Sequence, residues 1–240
     1  MVNHFKGIKA LTFDVFGTVV DWRGSIIAEC KSWEKTRLLN VNWEKFADEW
    51  RSEYGPSMNL VRNGEIPWTK LDDLHMSSLI KLLKRHKITN LSSTEIEYLN
   101  KIWHRLNPWP DTLIGLSKLK TKFTIATLSN GNVSLLTNMA KWGNLPWDCI
   151  LSAELSEHYK KDPEAYLKAA ELLSLERHEI MMVAAHKDDL SAANHLGMKT
   201  CFVPRPLEHG ANKKIDSSPE NWIDICASDF IDLASQLGCH

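Results

Sequence analysis

The chain has no CxxC pair, no internal repeat, no low-complexity tract and no apolar run that approaches the length of a membrane span. Its five cysteines, Cys30, Cys149, Cys201, Cys226 and Cys239, are odd in number and widely scattered. That pattern argues against a disulfide framework and for reduced, structural thiols, since none of the five sits in a motif. The first residues, "MVNHFKGIKALTF", lack the apolar core of about 7 to 15 residues that a signal peptide needs, so a cytoplasmic location is expected. The Asn-x-Ser matches at Asn90 and Asn132 then occur at chance level. Charge of one sign is also lacking: 29 Lys and Arg stand against 30 Asp and Glu, a formal net charge of -1. No global field draws nucleic acid or an anionic membrane to this protein, and a small molecule is the expected partner.

What is present is a globular composition, 43% hydrophobic over 240 residues, enough for one large domain or one domain carrying a smaller insert. Strand-like runs recur at "IKALTFDVF", "KFTIATLS", "CILSA", "EIMMVAA" and "KTCFVP", and from the second onward they alternate with helical segments. That rhythm predicts an α/β fold with a mostly parallel, doubly wound, Rossmann-like sheet. The rhythm stops between Asp21 and Asn107. There, Trp43, Phe46, Ala47, Trp50 and Tyr54 follow helical spacing, as do "WTKLDDLHMSSLIKLLKRH" and "STEIEYLNKIWHRL". The division expected is a core of residues 1–20 and 107–240 with an all-helical insert, 21–106. Seven of the ten tryptophans fall between Trp22 and Trp109, a pattern that fits either a helix bundle packed with large rings or an aromatic ligand cage. Pro108 and Pro110 in "LNPWPD" break helix and return the chain to the sheet, and "HGANKKIDSSPEN" reads as a polar loop before a last short helix.

Chemistry-bearing residues gather at the predicted C-terminal ends of strands, where open α/β sheets build their sites. They are Asp14 with Thr18, Ser129-Asn130-Gly131, Lys160, and His186 with Asp188 and Asp189. An apolar run delivering Asp14 into a turn at Gly17 suits a carboxylate nucleophile. An ammonium nearby would keep such a group ionised.

These four motifs, in this order and with a helical insert after the first, resemble the haloacid dehalogenase superfamily over essentially the whole chain. The resemblance implies a nucleophilic Asp14, covalent catalysis and a helical cap that closes over the substrate. Phosphatases of that superfamily carry a second aspartate two positions after the nucleophile, as general acid for an alkoxide leaving group. Here that position is Phe16. Halide leaves as a stable anion without a proton, and "FDVFGTVVDW" resembles the L-2-haloacid dehalogenase (type II) branch, where an aromatic residue stands at this place. In that chemistry Asp14 displaces halide from C2 of a 2-haloalkanoate, and water then hydrolyses the ester. The resemblance implies (S)-substrates, (R)-2-hydroxy acid products, no cofactor, no metal and a homodimer.

The family pattern places its functional lysine six residues before a tyrosine, which selects Lys160 with Tyr166 from "HYKKDPEAYLKAA" and puts Lys161 where proline usually stands. Ser129 and Asn130 read either as donors to the substrate carboxylate or as an ordinary helix cap. Thr18 either bonds the Asp14 carboxylate or completes the turn, and Phe16 is assigned with the substrate-binding residues. Arg51, in "FADEWRSEY", matches the family's halide-binding cap arginine by its Trp-Arg context, with Arg23 of "VDWRG" as the rival. In "VAAHKDDL", Ala184 and His186 stand where the best-known dehalogenases have serine and asparagine. A neutral imidazole is a good general base near pH 7, so His186 is assigned to activate water and Asp189 to orient the lysine or the water. Two alternatives remain: a Mg²⁺-dependent phosphatase that uses Asp188 and Asp189, and a catalytically silent binding protein on the same fold.

Overall fold

The computed structural model describes residues 5, 7–36, 38–213 and 216–239. The N-terminal "MVNH" stretch, and Lys214 and Ile215 of the polar loop, lie outside the described residues. Eight strands form among those described: β1 (Ala10–Phe13), β2 (Val20–Asp21), β3 (Asn107–Pro108), β4 (Thr124–Ser129), β5 (Cys149–Ser152), β6 (Ile180–Ala184), β7 (Lys199–Phe202) and β8 (Ile225–Cys226). Six of them make one sheet in the order β5-β4-β1-β6-β7-β8, with every neighbouring pair parallel. All five predicted strand runs are in it. The sixth, β8, is two residues long, too short to carry a periodic signal.

The central strands are apolar throughout because both faces are covered. Leu11, Phe13, Met181 and Val183 point into one core cluster, while Ala10, Ile180, Met182 and Ala184 point into the other, as a period of two requires. From β1 the sheet grows first to β4 and β5 and then, on the opposite side, to β6, β7 and β8. The reversal makes the C-terminal edge of β1 the switch point at which such sheets open a crevice.

The chain leaves the sheet through β2 and returns through β3, and the two pair antiparallel, Val20 opposite Pro108 and Asp21 opposite Asn107. Between them lie α1 (Trp22–Ser32), α2 (Trp43–Ser52), α3 (Tyr54–Arg62), α4 (Leu71–Arg85) and α5 (Ser93–Asn100). Trp43, Phe46, Ala47 and Trp50 form the buried stripe of α2, the helical spacing read from the sequence. They pack with Trp22 and Ile26 of α1, Leu79 and Leu82 of α4, and Trp103. Trp103 stacks on Trp22 at 6.4 Å and on His75 at 4.2 Å between ring centres. Four of those seven tryptophans, Trp22, Trp43, Trp50 and Trp103, are therefore buried bundle core, while Trp33, Trp68 and Trp109 are half-buried. Around the sheet, α6 (Thr112–Lys120), α7 (Val133–Trp142) and α10 (Phe230–Gln236) cover one face, and α8 (Pro163–Leu173) and α9 (Lys187–His195) cover the other. All five cysteines are free, and burial pushes the Cys30 thiol up to about 12.

Candidate active site

Asp14 is the first residue past β1 and is buried. Its backbone N–H donates to Val183 O at 3.0 Å, so the parallel ladder fixes its position. Lys160 Nζ donates to Oδ1 at 2.9 Å, while Oδ2 accepts from Thr18 Oγ1 at 2.6 Å and from His186 Nδ1 at 3.0 Å. Burial alone would push this carboxyl up. The Lys160 ammonium, the hydrogen bond and charge of His186, and the Thr18 hydroxyl outweigh burial and hold it well below the usual carboxylate range. Asp14 is thus ionised, desolvated and ready to share an electron pair.

Lys160 spans two carboxylates, with Asp189 Oδ2 at 2.5 Å on its far side. Tyr166 donates its hydroxyl proton to Asp189 Oδ1 at 2.5 Å. Burial favours the neutral amine, yet Asp14 and Asp189 together raise the Lys160 pKa, whereas burial, joined by the charge of Asp14, raises that of Asp189. The Lys160 backbone is tied on both sides: its N–H donates to Asn130 Oδ1 at 2.7 Å, and its carbonyl accepts from Arg62 Nη2 of α3 at 3.1 Å. Lys161 turns outward to an exposed pair with Asp188 at 2.7 Å.

His186 sits between two acids. Opposite Asp14, its Nε2 meets both oxygens of Glu208 at 3.0 and 3.1 Å. Burial works against a charged ring, but the hydrogen bonds and charges of Asp14 and Glu208 prevail and bring its pKa up to about 10. The two carboxylates thus favour the charged form of the ring, an imidazolium opposite an ionised Asp14, in place of the neutral imidazole expected from the sequence. Glu208 was not anticipated. It lies on the loop between β7 and β8, is buried, and also accepts from Trp22 Nε1 at 3.0 Å. Gly17, at φ +86°, makes room for it, because a Cβ there would lie 2.2 Å from Glu208 Oε1. That glycine after Asp14 was the one sequence signal bearing on Glu208, and it pointed to a turn and not to a partner.

A cavity of about 260 Å³ opens over Asp14, lined by Arg51, Tyr54 and Met58 from the insert and by Asn130, Lys160 and His186 from the sheet side. Arg51 lies with its guanidinium carbon 4.0 Å from the Tyr54 ring centre and 5.6 Å from that of Trp22. Its Nη1 is buried with no hydrogen-bond partner among the described residues. Arg23, the rival, pairs instead with Asp48 at 2.6 and 3.0 Å on the surface. Several predicted substrate contacts stand behind the cavity wall. Ser129 accepts from the Gly131 N–H at 3.2 Å, Thr18 accepts from the Ala185 N–H at 2.9 Å, and Tyr166 holds Asp189. Phe16 packs edge-on against Tyr54, His75 and Trp103. The insert's lining comes from Arg51 of α2 and from Tyr54, Gly55 and Met58 of α3, and no tryptophan belongs to it.

Magnesium, which the phosphatase alternative requires, finds no suitable donor set here. The oxygens of Asp14 are engaged by an ammonium, an imidazolium and a hydroxyl, Asp189 faces Lys160 and Tyr166, Asp188 is paired with Lys161, and the Phe16 side chain offers no carboxylate. Among the described residues, no group of three or more His, Cys, Asp or Glu is placed to hold a metal.

A buried ionised aspartate at the switch point of a parallel sheet, paired with lysine and facing a helical insert, matches a known class. A model of the haloacid dehalogenase-like hydrolases fits residues 8–197, and the chain belongs to that family. Its relatives within the family include dehalogenases, and also a putative pyrophosphatase of Clostridium perfringens, 25% identical over 96% of this chain and 99% of that protein. A crystallised L-2-haloacid dehalogenase is 44% identical with a TM-score of 0.90, over 96% of this chain and 99% of that one. A defluorinating L-2-haloacid dehalogenase is 43% identical with a TM-score of 0.93, over 96% and 95% of the two chains. (S)-2-haloacid dehalogenase 1 of Pseudomonas sp. strain CBS-3 is 27% identical over 216 residues, 82% of this chain and 85% of that protein.

Proposed function

We propose that this protein is an (S)-2-haloacid dehalogenase, a hydrolase acting on carbon-halide bonds, in which Asp14 is the nucleophile. The observation that carries the reading is a buried, ionised Asp14 with phenylalanine, and no proton donor, two residues later, beneath a cavity lined by an arginine whose buried Nη1 has no hydrogen-bond partner among the described residues. Asp14 attacks C2 from the side opposite the halogen, and inversion turns an (S)-2-haloalkanoate into an (R)-2-hydroxy acid. Lys160 keeps the nucleophile ionised and aimed, with Asp189 and Tyr166 holding the lysine. Arg51 receives the halide through its free Nη1. The Asn130 oxygen is engaged by the Lys160 N–H, and the Asn130 amide N–H groups, beside the Tyr54 hydroxyl, are the donors assigned to the substrate carboxylate. His186 handles the water that cleaves the ester.

Residues 21–106 act as the cap over a core of 1–20 and 107–240. The β2-β3 ribbon, which brings both ends of the insert to one place, supports this division. A homodimer and a cytoplasmic location belong to the same reading, the first supported by the family resemblance and the second by five free thiols. Light scattering on the purified chain tests the dimer. No helix of the described residues is long and apolar enough to cross a membrane.

A single turnover in heavy-oxygen water, with enzyme in excess over substrate, tests the covalent route. Water attacks the Asp14 carbonyl carbon, so the label is expected in Asp14 and absent from the hydroxy acid. Label in the product of that first turnover would mean that water, and not Asp14, displaces the halide.

A further inference from the structure

Water that releases product from an aspartyl ester must give up a proton, and a histidine that is charged in the resting site cannot take it. Glu208 bears on this difficulty. Its carboxylate is buried, and its hydrogen-bond donors are His186 Nε2, at 3.0 and 3.1 Å, and Trp22 Nε1, at 3.0 Å. Burying a carboxylate is costly unless a countercharge faces it, and the His186 ring is the nearest one; His209 Nε2 stands 3.9 Å away. Gly17, three residues after the nucleophile, is the residue whose missing side chain admits this carboxylate to the site.

We propose that Glu208 is the positioning residue for His186: it keeps the Nε2–H throughout the cycle, so that Nδ1 alone alternates between facing Asp14 and taking a proton from the ester-cleaving water. The proposal rests on the dehalogenase reading. When an Asp14 oxygen bonds to C2, the C2–halogen bond breaks, the halide leaves with the electron pair, and Asp14 loses its charge. Nδ1 thereby loses its anionic partner, and its proton passes to solvent, which accounts for the one proton the net reaction releases with halide. The ring left behind is neutral, with Nε2–H on Glu208 and a lone pair on Nδ1. One water proton moves to Nδ1 as the water oxygen bonds to the ester carbonyl carbon. The bond from that carbon to the product oxygen then breaks, and the second water proton goes to the departing alkoxide. Asp14 is again a carboxylate opposite an imidazolium. The charged and titratable groups around the ring are Asp14 after β1, Glu208 and His209 on the loop and Asp188 on α9, with Lys160 across Asp14 and Arg51 near Glu208.

The test is Glu208→Gln with (S)-2-chloropropionate, halide and protein mass being followed together beside wild type. The first equivalent of chloride is expected at about the wild-type rate, followed by turnover reduced about 10²-fold and an ester carried on Asp14. The acid limb of the remaining turnover should move to lower pH, because one of the two carboxylates that favour the charged ring is gone. A purely structural role would slow both steps alike and leave that limb in place. Unchanged turnover, or equal loss in both steps without an ester, would overturn the proposal while wild-type chloride release upholds the dehalogenase reading. No chloride from wild type would overturn both. If Glu208→Gln does not fold, Glu208→Asp carries the same test, since its shorter carboxylate withdraws from Nε2.

Discussion

Phe16 and Asp14 make the chemical choice at the scale of single residues. A carboxylate held low by Lys160, His186 and Thr18, with phenylalanine where the phosphatases of the superfamily carry their general acid, suits attack on a carbon whose leaving group needs no proton. Asp14→Asn removes the nucleophile, and turnover should fall by about 10⁴-fold or more, measured as halide release. His186→Ala is expected to trap the ester, visible as added mass on the peptide containing Asp14; unchanged turnover would remove His186 from the reaction. The two neighbouring lysines offer a contrast in energy. Lys160→Ala leaves Asp14 and Asp189 facing each other in a buried site and should lower stability to urea by about 3–5 kcal/mol. Lys161→Ala, at an exposed pair, should lower it by less than about 1 kcal/mol. Asp14, Lys160 and Asn130 could be placed at the cavity from the sequence because each sits in a strand-end motif, and Arg51 because of its Trp-Arg context on a helix. Ser129, Thr18 and Tyr166 could be read as members of the site but not as its inner frame, since spacing does not tell a wall from the layer behind it. Glu208 could not be read at all: it comes from an irregular loop with no periodicity, far from Asp14 along the chain.

Among elements, the helical insert and the strand end after β4 are joined by a polar network. Asp72 on α4 accepts from His104 Nε2 at 2.9 Å and from Asn132 Nδ2 at 3.0 Å, and its own N–H donates to Asn132 Oδ1 at 3.2 Å. Asn138 of α7 donates to the other nitrogen of His104 at 3.0 Å. Asn132 is close to Asn130 along the chain, so this network fixes the insert against the loop after β4 that lines the cavity through Asn130. Asp72→Ala should cost about 2 kcal/mol in unfolding and raise KM more than it lowers kcat. Equal KM values with a large loss of kcat would contradict this role. The helical character of the insert was legible from the switch of period from two to helical spacing, and the buried stripe of α2 followed from it. Its partners were not, because a lone tryptophan pattern does not say whether the rings face each other or a ligand. Here they face each other, and α3 supplies the cavity through Tyr54, Gly55 and Met58.

For the whole molecule, the parallel sheet and its switch point were predictable from alternating runs, whereas β8 and the return of the β7-β8 loop under the nucleophile depend on tertiary packing. That packing gives the protein opposite pH dependences on its two sides. Asp14 is depressed in the fold, so the stability it contributes is present above its unfolded value of ~3.9 and is lost as pH falls. His186 is raised to about 10, so its contribution is complete below its unfolded value of ~6.5 and is lost as pH rises through 10. The urea midpoint of wild type should therefore decline between about pH 7 and 10, and His186→Gln should flatten that decline. An equally steep decline in the variant would assign it to other groups.

The central claim is that Asp14, without a metal, breaks a carbon-halide bond of one enantiomer, and one assay tests it most directly: chloride release from (S)- and (R)-2-chloropropionate with EDTA present. Chloride from the (S)-form alone, with (R)-lactate as product, is the predicted result. No chloride from either enantiomer, together with Mg²⁺-dependent phosphate release from p-nitrophenyl phosphate, would contradict it.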